Sequence, residues 1–235
     1  MNGEITVAFE EILQSKKVAP TLSLSMSVIT RQPTIADIKA LASVHRDVFP
    51  DYFLSHLGQK AVEAFYSNII TGTEENFSSI AECNGQLIGF VAGARDSSRF
   101  FRNLYRNHFI DMALGVLQGV LASAVFRKQL WDRRSQILRA LRSKFLAAPK
   151  TDTQHVVSKA KFRLLSIGVL PNHRKSGIAE AMLSHFLQQL DSAGIQEVGL
   201  SVFDSNKRAI RFYEKTGWQV EFQLGKSIYF WRGVG

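Results

Sequence analysis

The sequence predicts a mixed α/β (α+β) fold, and three features of its pattern indicate this class. Apolar residues recur at helical spacing over several long segments. In other segments they form short, nearly continuous runs that are typical of strands. The dipeptide Asn84-Gly85 separates two such runs, which predicts an antiparallel hairpin. In the last third of the chain strand, helix, strand and helix follow one another, which implies at least one right-handed parallel crossover.

The part of the chain before residue 97 is predicted to contain helices followed by this hairpin. A short helix over Glu4–Lys17 and a strand over Leu22–Thr30 come first. Thr34 then caps an amphipathic helix that ends at Phe49-Pro50, because the residue before a proline disfavours the helical conformation. The apolar spacing over Gln59–Ile70 predicts a second helix, which leads into the hairpin.

After residue 160 the predicted elements follow one another closely. Phe162–Leu170 is a buried strand, Ile178–Leu190 an amphipathic helix and Val198–Phe203 a second strand. A helix over Asn206–Lys215 comes next, and two final strands, WQVEFQL and SIYFWR, meet at a turn that contains Gly225-Lys226.

The composition is that of a globular protein in a reducing compartment. The 235 residues are 46% hydrophobic and 21% charged, which excludes a disordered or collagen-like chain. The single cysteine, Cys83, excludes an internal disulfide and a cysteine-based zinc site. The six histidines show no ligand spacing, so no metal is expected. Acidic residues lie near the N-terminus where a signal peptide requires a basic start, and we therefore expect a cytoplasmic protein.

The net charge of +9 is concentrated in one segment. Residues 97–150 contain eleven lysines or arginines and two acids, whereas the rest of the chain is balanced. The segment is predicted to be helical. Its run Phe109–Phe126 is mostly apolar, but it is short and interrupted for a membrane-spanning helix. We interpret residues 97–150 as a basic helical insertion.

A basic turn that contains a glycine precedes the helix at Ile178. It reads PNHRKSGIA over residues 171–179 and connects a buried strand to an amphipathic helix. Backbone N–H groups at the start of a helix have no partner within it, and the helix dipole favours an anion there by roughly 0.3–1 kcal/mol. Gly177 allows close approach of the backbone, while Arg174 and Lys175 add charge. The turn predicts a phosphate or pyrophosphate site, although many such turns bind nothing.

A second group of residues lies on the next helix. Asn206 is a candidate helix cap that can also reach a ligand. Tyr213 follows it by about two helical turns, so the two side chains share a face. Taken alone, Tyr213 is more typical of a core aromatic residue.

The two groups together resemble the GNAT superfamily of acyl-CoA-dependent N-acyltransferases. The pattern R-x-x-G-x-A follows a strand ending in V-x-P, and N-x-x-A-x-x-F-Y-x-x-x-G-W comes after it. The resemblance is specific over Leu164–Trp231 and looser over Ile29–Arg95. It implies a twisted mixed sheet of six to seven mostly antiparallel strands with a splayed parallel pair, flanked by helices. It also implies an N-terminal extension, residues 1–24, and an N-acetyltransferase domain, residues 25–235, with residues 97–150 inserted between the third and fourth strands.

The resemblance implies a site for acetyl-CoA between the splayed strands. In such proteins the fourth strand bulges near its end, and backbone groups of Ile167, Gly168 and Val169 would hold the pantetheine and the thioester carbonyl. Asn206 would contact the cofactor and Tyr213 would lie beside the sulfur. The pyrophosphate would be bound by the turn: Arg174, Lys175, Ser176, Gly177, Ile178 and Ala179.

The implied activity is transfer of an acetyl group from acetyl-CoA to a primary amine of a small molecule or a peptide. A phenol has a pKa near 10 and a thiol one near 8.5, so Tyr213 is expected to assist the departing thiolate by a hydrogen bond rather than by complete proton transfer. The fourth strand lacks the carboxylate that many family members use as a base, which leaves Glu82, Asp51 and His155 as candidates. For the same reason, a CoA-binding sensor or scaffold without turnover is the alternative function.

The implied topology places the basic insertion on the side where acceptors enter. Its charge would attract an anionic acceptor, such as an amino sugar derivative. The charge and the apolar run together would instead suit peripheral attachment at the inner face of an anionic membrane. A self-packing helical cover with a solvated basic face is the third interpretation. Nucleic acid is the least favoured partner, because no DNA- or RNA-binding motif accompanies the charge.

Overall fold

The structure is a computed structural model that describes residues 28–72, 75–122, 127–128, 131, 158 and 160–235. Within these residues seven strands form one sheet in the order β1-β2-β3-β4-β5-β7-β6. The strands are β1 (Val28–Arg31), β2 (Asn76–Cys83), β3 (Gln86–Ala94), β4 (Phe162–Val169), β5 (Glu197–Phe203), β6 (Gln219–Leu224) and β7 (Ser227–Gly233).

The helices of the described residues flank this sheet. A 3-10 turn, Ile35–Asp37, leads into the first helix, and a second one, Pro171–His173, follows β4. Asp37 Oδ2 accepts hydrogen bonds from the backbone N–H and the hydroxyl of Thr34 at 2.6 and 2.9 Å. The α-helices are α1 (Ile38–Val48), α2 (Phe53–His56), α3 (Gly58–Thr71), α4 (Ser97–Asn107), α5 (Phe109–Ala122), α6 (Ile178–Ser192) and α7 (Lys207–Lys215).

The sheet is antiparallel except where β4 meets β5. These two parallel strands pair only at their beginnings, where Phe162 is opposite Val198 and Arg163 is opposite Gly199. Further along, β4 continues to pair with β3 and β5 with β7, so the strands separate from one another. The splayed parallel pair and the mixed fold class are confirmed.

The bulge in β4 lies in a different place from the one that the resemblance implies. Ser166 is opposite Ala92 and Leu164 is opposite Gly93, so the register skips Leu165. The irregularity therefore lies in the middle of β4 rather than near its end. The pairing of β4 with β3 is therefore offset by one residue between the parts of β4 before and after Leu165, which is the usual effect of one extra residue in a strand.

The local predictions agree well with the observed elements. Asn84 and Gly85 adopt φ values of 51° and 76°, as a two-residue hairpin turn between β2 and β3 requires. The short helix α2 was not predicted. The helix predicted over Glu4–Lys17, the first part of the strand predicted over Leu22–Thr30 and most of the insertion after residue 122 lie outside the described residues.

Two apolar clusters lie on opposite faces of the sheet. Alternate residues of β3 enter each of them, with Phe90 in one cluster and Val91 in the other. The first cluster includes residues of α1, α3, α4 and α5, and the second includes the apolar face of α6 together with Tyr213. The described part of the insertion therefore packs on the same face of the sheet as α1 and α3.

Candidate active site

The separation of β4 from β5 opens a cavity of about 1060 Å³. Its walls include Leu164–Val169 of β4 and Leu200–Phe203 of β5, so it extends along the gap where these strands have ceased to pair. The beginnings of α6 and α7 border one end of the cavity, and helices α1 to α5 border the other. We call the first of these the basic end and the second the aromatic lobe.

The turn before α6 forms part of the basic end. Lys175 and Gly177 adopt positive φ values of 66° and 79°. Gly177 is the N-cap of α6 and, as a glycine, has no side chain that could cap the first N–H groups of the helix. Left-handed residues at such a turn direct successive backbone N–H groups into a concavity that suits an anion. A Cβ atom on Gly177 would have no neighbour within 4 Å in the described part of the chain, so the glycine is required by its backbone angle and not by crowding.

Positive side chains converge at the same end. Arg174 and Arg208 both line the cavity, and burial together with the charge of Arg208 lowers the pKa of the Arg174 guanidinium. Arg211 and Lys215 of α7 are also lining residues, and their spacing from Arg208 is that of one helical face. Two guanidinium groups held near each other repel, and a bound anion relieves this repulsion. Sequence reasoning missed Arg208 and Arg211, although their spacing along α7 was a usable signal.

Strand β4 forms the floor of the cavity. Ile167, Gly168 and Val169 are lining residues, and the Val169 carbonyl accepts a hydrogen bond from Arg174 Nε at 3.0 Å. A Cβ atom at Gly168 would lie 2.6 Å from Val48 Cγ1 and 3.1 Å from Phe90 Cζ. Glycine therefore allows α1 to approach β4 closely at this point, and it fixes the distance between them.

Tyr213 and Asn206 lie on or next to α7 as the sequence predicts. The Tyr213 side chain is buried against Trp218 and Phe230 but still lines the cavity. Burial raises the pKa of the Tyr213 phenol well above its usual value, and nearby Tyr52 raises it further. Asn206 also lines the cavity while its Oδ1 caps α7 by accepting a hydrogen bond from the Ala209 N–H at 3.1 Å.

The cavity brings together the predicted cofactor residues with one exception. Ser176 is not a lining residue, and its hydroxyl donates a hydrogen bond to the His173 carbonyl at 2.6 Å. This bond stabilises the turn. Contact of the other predicted residues with a cofactor stays a prediction.

Two of the three candidate bases, Glu82 and Asp51, lie outside the cavity wall. Glu82 forms an ion pair with Arg31 on the outer strands of the sheet, and neither Glu82 nor Asp51 lines the cavity. His155 lies outside the described residues. The cavity wall that the structure describes has one carboxylate, Glu180, and this is paired with Lys215 at 3.1 Å at the basic end.

A buried polar chain that was not predicted reaches the middle of the cavity. His45 Nδ1 lies 2.9 Å from the Tyr66 hydroxyl, and Tyr66 in turn hydrogen-bonds to the Ser166 side chain on β4. Burial lowers the pKa of His45 to about 4, so its imidazole is neutral at pH 7. His45 and Ser166 both line the cavity. The positions of His45, Tyr66 and Ser166 in the sequence do not predict that they meet, because the three residues lie on separate elements, α1, α3 and β4.

The aromatic lobe is closed by the insertion. Helix α1 and the loop after it contribute His45, Val48, Phe49 and Tyr52. Helices α2 and α3 and the junction between them contribute Phe53, Leu54, Leu57 and Phe65. The insertion contributes Phe101, Leu104, Tyr105 and Met112. Gly115 of α5 approaches the Leu57 carbonyl so closely that a Cβ atom would overlap it. The glycine therefore allows α5 to pack directly against the α2–α3 junction.

Two features are absent from the described residues. These residues contain no group of three or more histidine, cysteine, aspartate or glutamate side chains that could hold a metal ion. Among the helices within those residues, none combines the length and the apolar character that crossing a bilayer requires.

Comparison with known proteins adds the following similarities. Residues 145–218 match the acetyltransferase (GNAT) family. The [ribosomal protein bS18]-alanine N-acetyltransferase of Escherichia coli strain K12 is 35% identical over 77 residues, which are 33% of this chain and 50% of that protein. The chain thus spans about half the length of the curated relatives it matches.

Solved structures show the same fold at low identity. The PaiA N-acetyltransferase of Thermoplasma acidophilum, in complex with coenzyme A, has a TM-score of 0.53 and 15% identity, covering 88% of this chain and 99% of that chain. An N-acetyltransferase of Staphylococcus aureus Mu50 has a TM-score of 0.52 and 10% identity, and the match covers 89% of this chain and 99% of that chain. Residues 145–218 therefore resemble the GNAT acetyltransferase family, and the described residues share their fold with these solved structures.

Proposed function

We propose that the protein is an acetyl-CoA-dependent N-acetyltransferase that acetylates a primary amine. The observation that carries the proposal is the gap between β4 and β5, which continues from the basic turn before α6 to Tyr213. A thiol ester on a long, diphosphate-containing carrier needs this combination of a narrow apolar slot and an anion site at one end.

The residues present fit such a carrier. The turn offers left-handed residues and the N-terminus of α6, and Arg174, Arg208 and Arg211 supply positive charge for phosphate oxygens. On the side away from β3, the backbone of β4 beyond Arg163 has no strand partner among the described residues, so it can hydrogen-bond to an amide-containing chain in the slot. Acetyl-CoA supplies an activated acetyl group as a thioester.

We assign one catalytic role, at the departing thiolate, to a residue of the cavity, Tyr213. In the net reaction a C–N bond to the amine forms, the C–S bond breaks, and the proton that the amine loses balances the one that the thiolate gains. Tyr213 donates a hydrogen bond to the sulfur as negative charge develops there. Because burial raises its pKa, the phenol keeps its proton and acts as a donor rather than as a full acid.

Thiol release measured with a panel of amines tests the proposal. We expect free thiol to appear from acetyl-CoA only when an accepted amine is present, at a rate that saturates with amine concentration. A CoA-binding sensor or scaffold would bind acetyl-CoA without any amine-dependent release. That result, obtained with protein that binds the cofactor, would replace the enzyme by this alternative.

We further propose that the basic insertion can contact an anionic membrane surface. Phe109, Ile110, Leu114 and Leu117 of α5 are exposed, and arginines lie on the adjoining helix α4. Cosedimentation with acidic vesicles is expected to decrease when Arg127, Lys128, Arg133 and Arg134 are replaced by serine. Equal sedimentation of the variant and the unchanged protein would contradict this proposal.

A further inference from the structure

The aromatic lobe begins directly beside the reacting end of the slot. Val48 and Phe49 pack against Gly168 on β4, and Tyr52 lies close enough to Tyr213 to influence its phenol. A molecule that fills the lobe would therefore present its end to the position proposed for the thioester. The lobe is separate from the basic end, which the carrier's phosphates would occupy.

The lobe has an apolar wall. In the part of the chain that the structure describes, no lysine, arginine, aspartate or glutamate lines it. Its one histidine, His45, is buried and neutral at pH 7. The described cations of the cavity lie at the basic end instead, which is a poor arrangement for the anionic acceptor that the charge of the insertion suggested.

The same wall affects the amine itself. An apolar environment disfavours an ammonium ion and favours the neutral amine that can attack a carbonyl carbon. A lysine-type amine with a pKa near 10.4 is neutral in roughly one molecule in a thousand or fewer at pH 7, whereas an α-amine with a pKa near 8 is neutral in about one in ten. Since no described carboxylate lines the lobe, a weakly basic amine suits it better.

We infer that the acceptor is a weakly basic amine, such as an α-amine, carried on an apolar body that fills the aromatic lobe between α1 and the insertion. This inference rests on the proposed acetyl transfer and specifies its substrate class. The insertion then acts as the wall that selects the acceptor, through Phe101, Leu104, Tyr105 and Met112.

A series of amino acid amides tests the apolar body. Phenylalanine amide, leucine amide, glycinamide and glutamic acid α-amide all present an α-amine, so they differ mainly in the body attached to it. We expect kcat/KM to be at least roughly 10-fold higher for phenylalanine amide than for glycinamide or the glutamic acid derivative. Equal or better use of the glutamic acid derivative would overturn the inference.

Two variants connect this preference to the insertion. Phe101 and Tyr105 are 37% and 48% exposed, so replacing either by alanine removes lobe contacts without opening the buried core. Each variant is expected to lose roughly 10-fold in kcat/KM for phenylalanine amide while the value for glycinamide stays nearly constant. Leu114→Ala is the matched control, because Leu114 lies on α5 outside the lobe and is 54% exposed. An equal loss with both amides would indicate a merely structural effect and contradict the inference.

The pH dependence tests the need for a weakly basic amine. Phenethylamine shares the ring of phenylalanine amide but has the basicity of an alkylamine, with a pKa of roughly 10. We expect kcat/KM to level off near pH 8 for the amide and to continue rising above pH 9 for phenethylamine. Profiles that level off at the same pH would reveal a base on the protein and overturn this part of the inference.

A binding measurement separates failure of this inference from failure of the proposed function. If no amine released thiol, the transferase proposal would fail. Calorimetry with CoA-saturated protein would still report whether N-acetylphenylalanine amide binds at least roughly 10-fold more tightly than N-acetylglutamic acid α-amide. Tighter binding of the aromatic amide supports the apolar lobe without turnover, and equal binding contradicts it.

Discussion

Tyr213 combines burial with contact to the cavity, and both matter for its proposed role. Tyr213→Phe removes the hydroxyl but keeps the ring contacts with Trp218 and Phe230. We expect kcat to fall by roughly 10- to 1000-fold, because the departing thiolate loses a hydrogen-bond donor, while the Kd of CoA changes little. Steady-state kinetics and calorimetry measure the two effects. Tyr229→Phe is the control, because Tyr229 stacks on Phe222 and does not line the cavity. A fully active Tyr213→Phe variant would remove the assignment.

Arg208 is the residue through which the basic end can be tested without disturbing the turn. It is exposed on α7, whereas Arg174 also donates a hydrogen bond to Val169. Arg208→Ala is expected to raise the Kd of CoA by roughly 5- to 10-fold, with a smaller effect at high salt because screening weakens exposed charges. Lys207→Ala is the matched control, since the neighbouring Lys207 is exposed and lies outside the cavity wall. Equal losses in both variants would indicate only a general effect of net charge.

His45 makes the stability of the fold depend on pH. Its pKa falls from 6.5 to about 4 on folding because of burial, so the unfolded chain binds the proton more readily between these values. Stability is therefore fully present above pH 6.5 and is lost as the pH falls towards 4, by about 3 kcal/mol for this group. Urea unfolding at several pH values measures the loss. His45→Gln should flatten this dependence, and an unchanged slope in that variant would contradict it.

At the level of whole elements, the spacing between α1 and β4 depends on Gly168. A methyl group there would meet Val48 and Phe90, and neither α1 nor the strand can yield freely because both belong to the buried core. Gly168→Ala is expected to lower the free energy of unfolding by about 1–3 kcal/mol and to weaken CoA binding. Chemical denaturation and calorimetry check this. Gly233→Ala serves as the control, because a Cβ atom there has open space and ordinary φ, and it should be neutral.

Local sequence signals predicted most elements because each depends on residues near one another in the chain. Asn84-Gly85 alone specifies the turn between β2 and β3, and Asn206 specifies the start of α7. The bulge at Leu165 had no such signal, because it is a property of pairing with β3 and not of β4 alone. Helix α2 was missed because four residues are too short to show a helical period.

Over the whole molecule, the basic end of the cavity could be predicted and the aromatic lobe could not. The basic end is built largely from one continuous turn and the helix after it, so its chemistry is visible in the order of residues 171–179. The lobe joins α1, the α2–α3 junction and the insertion, which are far apart in the chain. Nothing in the spacing of His45, Tyr66 and Ser166 indicates that they form one hydrogen-bonded chain.

The charge of the insertion illustrates the same limit of sequence reasoning. Its basic residues suggested an anionic acceptor, yet the described residues that it contributes to the cavity are apolar or aromatic. An amphipathic helix presents different chemistry on its two faces, and composition alone does not say which face meets the site. In α4 the apolar face, with Phe100 and Leu104, turns towards the core.

A crystal structure of this protein bound to coenzyme A is the sharpest single test of the proposed site. We expect the diphosphate at the turn formed by residues 174–179, the pantetheine between β4 and β5, and the sulfur within hydrogen-bonding distance of the Tyr213 hydroxyl. A complex in which coenzyme A is bound elsewhere, or with its sulfur far from Tyr213, would contradict the proposed mechanism.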